Sequence, residues 1–341
     1  MTDLKLRSLK VTPKTTLHFL TQNAIYIVLI VLIIFIAIMD PRFLSTRCLR
    51  DVLLQSSTRA IIALGAAFVL ITGGTDLSAG RMVGFAAVLS ASMMQTEEYT
   101  RRFFPDLPQL WIIVPVLIAV AAGVLVGLIN GFIVAKFNVP PFIATLGTMV
   151  IVLGANSLYF DMKPNMSQPI GGLRQDFTWL GSGYIFKIPV IIIIAIVIAA
   201  IVWVVFNKTR LGKNMYAIGG NKEAANVSGI NVKKSLITIY AIAGALYAIG
   251  GVLLAAKSGG ATNQYGNMYE LDAIAACVVG GVSTTGGIGT VPGVLAGVVI
   301  FEVINYGLTF INVNPYWQLI IKGAIIVVAV AFDIRKYIAK K

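Results

Sequence analysis

Residues 73–80 read Gly73-Gly74-Thr75-Asp76-Leu77-Ser78-Ala79-Gly80, with a carboxylate and two hydroxyls among glycines and an apolar run on either side. In hydrocarbon, irregular backbone and an ionisable side chain persist only where other helices or a water-filled cavity supply hydrogen-bond partners. The stretch therefore reads as a buried break beside a route for solute, organised by Gly73, Gly74, Asp76, Ser78 and Gly80. Groups suited to bond-making chemistry are scarce. Cys48 and Cys277 fit no zinc or redox spacing, and the lone His18 has no partner residue for ligation or catalysis. Gly212-Lys213 is followed by Asn214 and lacks the earlier glycine of a phosphate-cradling loop. The pattern points to transport rather than catalysis, with no cofactor or metal site in the chain and any ATP bound elsewhere.

A second glycine-rich stretch opens with Glu270 and Asp272 and continues through Gly280, Gly281, Gly286, Gly287 and Gly289 to Gly293 and Gly297. Small residues at this density let helix backbones approach closely around a narrow cavity. The two acids either cap a helix N-terminus or meet an arginine from another loop. Glu302 with Lys322, and Asp76 with Arg81, are expected to neutralise each other. No run of carboxylates or histidines forms a proton or sodium relay. Asn130 and Asn305 are the amides expected to line the pathway.

The elements that must hold these groups follow from composition. With 57% hydrophobic and 12% charged residues in 341, and a mean hydropathy of +0.86, one soluble core cannot hide the apolar surface. We expect an all-α, polytopic membrane helix bundle forming a single domain over 1–341. About ten spans are expected, near 23–39, 60–72, 82–94, 111–135, 142–159, 188–206, 235–256, 274–281, 291–308 and 317–332. Four basic residues precede the first apolar run, which lacks a small-residue cleavage pattern and so reads as an uncleaved span.

The net charge of +13 lies in short loops and tails, a signature of membrane orientation and not of nucleic-acid binding. The tails 1–22 and 335–341 and the segment 207–234, with six basic residues against one acid, read as cytoplasmic. An even number of spans puts both termini on that side. Arg42, Arg47, Arg50 and Arg59 fall between the first two spans, on the outer side, where they either anchor the helices or dock an acidic partner. Within 207–234, Asn221 offers an N-cap, Lys222, Glu223, Ala224 and Ala225 favour helix, and Gly229 suits a left-handed end. A helix this short needs a surface to pack on. Ala224, Ala225 and Val227 are small enough for a tight fit, either against the bundle itself or against a partner.

The motif Gly73-Gly74-Thr75-Asp76-Leu77-Ser78-Ala79-Gly80 and the segment Glu270-Leu271-Asp272-Ala273-Ile274-Ala275-Ala276 carry a resemblance. Over nearly its full length the chain resembles permease subunits of bacterial ATP-binding-cassette importers for ribose, xylose, arabinose and galactose. Gly74 to Arg81, Ala217 to Asn221 with Glu223-Ala224-Ala225, and Val313 to Gln318 look most like the galactose/methyl-galactoside type. Thr75 and Arg81 depart from the ribose type, where Ile and Ser are common. The resemblance implies a multi-pass protein of the bacterial inner membrane, working as a homodimer. Two partner ATPase domains, which hold ATP and magnesium, would engage Asn221 to Gly229 as a coupling helix. A periplasmic sugar-binding protein would meet the outer arginines, and the sugar would cross by alternating access. An ion-coupled carrier acting alone is the alternative.

Overall fold

The computed structural model describes residues 24–338. The tail 1–22 with His18, and residues 339–341 of the C-terminal tail, lie outside the described residues.

Thirteen α-helices appear in chain order among the described residues: α1 Ala24–Met39, α2 Thr46–Ile71, α3 Ala79–Ser92, α4 Ile113–Lys136, α5 Pro141–Asp161, α6 Gln175–Ser182, α7 Val190–Lys208, α8 Arg210–Gly220, α9 Lys222–Val227, α10 Val232–Ser258, α11 Tyr269–Val279, α12 Val291–Phe310 and α13 Pro315–Ile338. A two-stranded hairpin, β1 Tyr184–Ile185 with β2 Ile188–Pro189, precedes α7. Six of the helices, α2, α4, α5, α7, α10 and α12, are long and apolar enough to cross a membrane, and shorter apolar helices join them. The protein is a polytopic all-α membrane protein.

Burial sorts the helices into a centre and a periphery. From Ala60 to Ile71 every residue of α2 is buried, and α10 packs against α2, α3 and α4. On α4, α5 and α7, Leu125, Ile151, Leu158, Ile196 and Ile201 face outward, as a helix bordered by lipid requires. The α4–α10 contact is close because Gly123, Gly127 and Gly131 repeat every four residues along one helical face. A Cβ at Gly127 would meet the Tyr240 carbonyl, and one at Gly123 the Gly244 carbonyl.

One boundary departs from expectation. The second span begins at Thr46, not near residue 60, because Ser45 caps it, its Oγ accepting from the Cys48 amide at 3.3 Å. The polar turns at 46–59 are helical all the same. Arg47, Arg50 and Arg59 therefore sit on α2, while Arg42 stays in the 3-10 turn Pro41–Leu44, chelating Asp40 with Nη2 to Oδ2 at 2.7 Å.

The two shortest inner helices give the bundle its character. At about 1.5 Å per residue, α3 and α11 reach only about 21 and 17 Å, against the roughly 30 Å of a hydrocarbon core. Their N-terminal ends meet. A Cβ at Gly80 would run into the Glu270 carboxylate and the Gly266 carbonyl, and one at Gly84 into the Tyr265 carbonyl.

Gly127→Ala is expected to cost about 1–3 kcal/mol through overpacking against α10. Gly147→Ala, where a Cβ meets nothing within 4 Å, is expected to be neutral or slightly stabilising on helix propensity. Melting temperatures of the two purified variants in detergent, compared with the parent chain, check the contrast.

Candidate functional site: the break between the half-helices

The first break is tied by a short polar chain. Asp76 Oδ1 accepts from the Ser78 amide at 3.0 Å and from Ser78 Oγ at 2.5 Å, and Asn130 Nδ2 donates to Ser78 Oγ at 2.9 Å. All three side chains are buried. Thr145 of α5 braces the same turn from the other side, accepting from the Leu77 amide at 3.1 Å and donating to the Pro141 carbonyl at 2.8 Å. Asn130 is thus bonded into the break. Asn305 lies on α12, 7% exposed, and its amide is unpartnered. Asp76 Oδ2, Asn130 Oδ1 and the hydroxyls of Tyr240 and Tyr247 are also buried without partners, so this interior is polar beyond what its own bonds satisfy.

Arg81 does not pair with Asp76. Its Nη2 donates to Asn267 Oδ1 at 2.7 Å, which ties the start of α3 to the loop preceding α11. Glu270 and Asp272 occupy the first turn of α11, where a negative charge complements the helix dipole.

Asp272 also meets an arginine, though one from a helix. Halfway along α2, Arg59 Nη1 bonds to Asp272 Oδ2 at 2.6 Å and Arg59 Nε lies 3.0 Å from Glu302 Oε2. Glu302 Oε2 receives no directed hydrogen bond, so that second contact is coulombic. Lys322 Nζ of α13 stands 3.4 Å from Asp272 Oδ2. The expected Glu302–Lys322 pair is replaced by a neutral four-charge cluster joining α2, α11, α12 and α13. Arg59 is consequently committed to the bundle interior, whereas Arg47 and Arg50 remain exposed at the start of α2.

The second break closes on the end of α2. The Gly287 amide donates to the Ile71 carbonyl at 2.8 Å, with Gly286 and Gly287 at φ of +92° and +77°. Helix α8 wedges into the same junction. Gly219 has no room for a Cβ because the Ile71 carbonyl and the Gly287 amide occupy the space, and Tyr216 Oη donates to the Gly289 carbonyl at 2.8 Å. Beyond α8, Asn221 Oδ1 accepts from the Ala224 amide at 2.9 Å and starts α9, and Gly229 follows it at φ +84°. Ala225 anchors α9 against Ala135, Ile218, Val232 and Leu236. Lys222, Glu223, Ala224 and Val227 stay exposed, Val227 at 89%.

Among the described residues no three His, Cys, Asp or Glu side chains gather as a metal-binding group. The interior is thus interrupted and polar, and the exposed α9 follows a helix, α8, that packs on the end of α2 and on the second break. A family model for the permease component of the branched-chain amino acid transport system matches residues 48–330. The chain belongs to this permease family.

This permease is 56% identical over 326 residues to the galactose/methyl galactoside import permease protein MglC of Haemophilus influenzae, covering 94% of this chain and 96% of that one. It is 54% identical over 332 residues to MglC of Escherichia coli, with 96% and 98% covered. The ribose import permease protein RbsC of Haemophilus influenzae is 38% identical over 316 residues, with 93% and 94% covered. No solved structure matches the chain significantly. Sequence reading missed Thr145 and the Arg59 link. Threonine in an apolar helix gives no signal of its partner, and pairing Arg59 with Glu302 spans 243 positions of chain.

Arg59→Met is expected to destabilise the permease by about 3–5 kcal/mol, because it leaves Glu302 with no ion-pair partner and Asp272 with Lys322 alone. Adding Glu302→Gln is expected to recover much of that loss. Thermal unfolding in detergent of the two single variants and the double variant measures the coupling.

Proposed function

We propose that this permease is the transmembrane subunit of an ATP-driven sugar importer, carrying galactose and methyl galactoside inward. The observation that carries the reading is end-to-end likeness, above half identity, to galactose/methyl galactoside import permeases. That likeness supports the ATP-driven reading and not an ion-coupled carrier acting alone. The chain is a transport subunit, not an enzyme, and it sits in a bacterial inner membrane.

In this reading both termini and the segment 207–234 lie in the cytoplasm. A separate ATPase pair binds ATP with magnesium, and the exposed face of α9 seats against it. Closure of the ATPases displaces Lys222, Glu223, Ala224 and Val227. Ala225 passes the motion to the bundle, and α8 delivers it to the Ile71–Gly287 junction. The geometry supports such a lever, since Gly219 leaves no slack between α8 and the breaks. Two copies of the permease enclose the pathway. A sugar-binding protein outside presents its ligand, docking by carboxylates on Arg42, Arg47 and Arg50. Alternating access then follows from two states of one packed bundle, with binding-protein selection leaving the pathway only weakly sugar-binding.

Proteoliposomes holding the permease, its ATPase and a galactose-loaded binding protein are expected to accumulate galactose only with ATP. Val227→Asp, on an exposed face, is expected to lower uptake at least tenfold and to weaken ATPase co-purification while leaving the melting temperature unchanged. Galactose uptake by vesicles containing this chain alone overturns the reading.

A further inference from the structure

Helix α10 begins beside α9 and runs 27 residues, about 40 Å, so its C-terminal end marks the opposite face of the bundle. At that end lies a cavity of about 420 Å³, within the range of roughly 300–1,000 Å³ typical of small-molecule sites. Gln55 of α2, Lys257 of α10, and Gln264, Tyr265, Asn267 and Tyr269 line it. Its floor is the junction of the half-helices, because Gly266, also in the lining, packs against Gly80 of α3.

The hydrogen-bonding character of this lining is set by two cations. Lys257 Nζ donates to Gln55 Oε1 at 2.5 Å, and Arg81 Nη2 donates to Asn267 Oδ1 at 2.7 Å. A cation at the amide oxygen fixes which end of each amide is which. Both NH2 groups are left as donors, and neither makes a hydrogen bond among the described residues. An amide oxygen is neutral, so Lys257 keeps its positive charge, and no carboxylate lines the space to balance it. A cationic ligand therefore finds no counter-charge, while the lining offers N–H donors to a ligand rich in oxygen acceptors. Two tyrosine rings add apolar faces with polar edges, and the ring of Tyr269 lies 5.2 Å from the Arg59 guanidinium. Amide and ammonium donors, phenol hydroxyls and ring faces around a cavity of this size match a molecule whose surface alternates hydroxyl oxygen with C–H.

We propose that this cavity is a receiving site for a neutral monosaccharide, occupied from the face opposite α9 before the half-helix junction opens. The inference rests on the importer reading above, and it assigns the entry point that reading leaves open. Lining by amides and rings, without charge pairing, gives weak binding with a half-saturation in the millimolar range.

The test places a reporter at Ser258, which is exposed in the lining and makes no side-chain hydrogen bond among the described residues. Ser258→Cys is introduced into the full chain, assembled with its ATPase in proteoliposomes, and labelled with a membrane-impermeant methanethiosulfonate. Cys48 and Cys277 are buried, and the parent chain gives the background. Galactose or methyl galactoside at millimolar concentration is expected to slow labelling at least threefold, whereas glycine betaine at equal osmolarity does not. In the Ser258→Cys background, Asn267→Ala and Gln55→Ala are each expected to raise the half-protecting sugar concentration at least threefold. Equal labelling with and without sugar overturns the site, as does protection that both alanine variants leave unchanged. ATP-dependent uptake with the binding protein is read in parallel. Uptake without protection overturns this site alone, and protection without uptake supports the site while overturning the importer reading.

Discussion

Two helices that start inside the bundle must satisfy their first turns there, and the rest of the architecture answers that requirement. The opening amides of α3 and α11 have no intrahelical acceptors, and both dipoles place positive charge at one junction. Asp76, Glu270 and Asp272 bring negative charge to these starts, while Ser78, Asn130 and Thr145 hold the turn before α3. Close approach is the second requirement. Gly80 and Gly266 let the two starts touch, and any larger residue there collides with backbone.

Concentrating acids at one junction creates a charge problem, and the long helices resolve it. Arg59 enters from the middle of α2 and Lys322 from α13, making a neutral set with Asp272 and Glu302. A buried ion cluster of this kind is poor evidence for added stability, since desolvation consumes most of the attraction. Its consequence is geometric. Four helices are held in one register, and separating any of them strands a charge, so the cluster favours discrete arrangements over gradual deformation.

The interior is joined to the exposed α9 face by close backbone contacts. Helix α8 touches the end of α2 and the second break through the Gly219 backbone and the Tyr216 hydroxyl, and α9 follows it directly in the chain. The exposed valine at position 227 shows that α9 is only half packed by its own bundle. The cavity on the far face and the half-packed helix on the near face lie at opposite ends of α10, with the break between them.

Much of this was legible in the residues themselves. Long apolar runs declared the helices, since only internally bonded backbone survives in lipid. The glycine, carboxylate and hydroxyl of 73–80 declared a break, and Asn221 with Gly229 marked the bounds of a short helix through local capping, which depends on neighbours in sequence. The start of α2 was hidden because residues 46–59, nine of the fourteen polar or charged, look like a loop until a cap at Ser45 and burial against other helices make them helical. The partners of Arg59, Glu302 and Arg81 were hidden for a deeper reason. Coulomb attraction acts through space, and each residue's chain neighbours carry no record of which distant helix the fold brings alongside. Sequence determined which groups needed partners, and tertiary packing alone decided who they are.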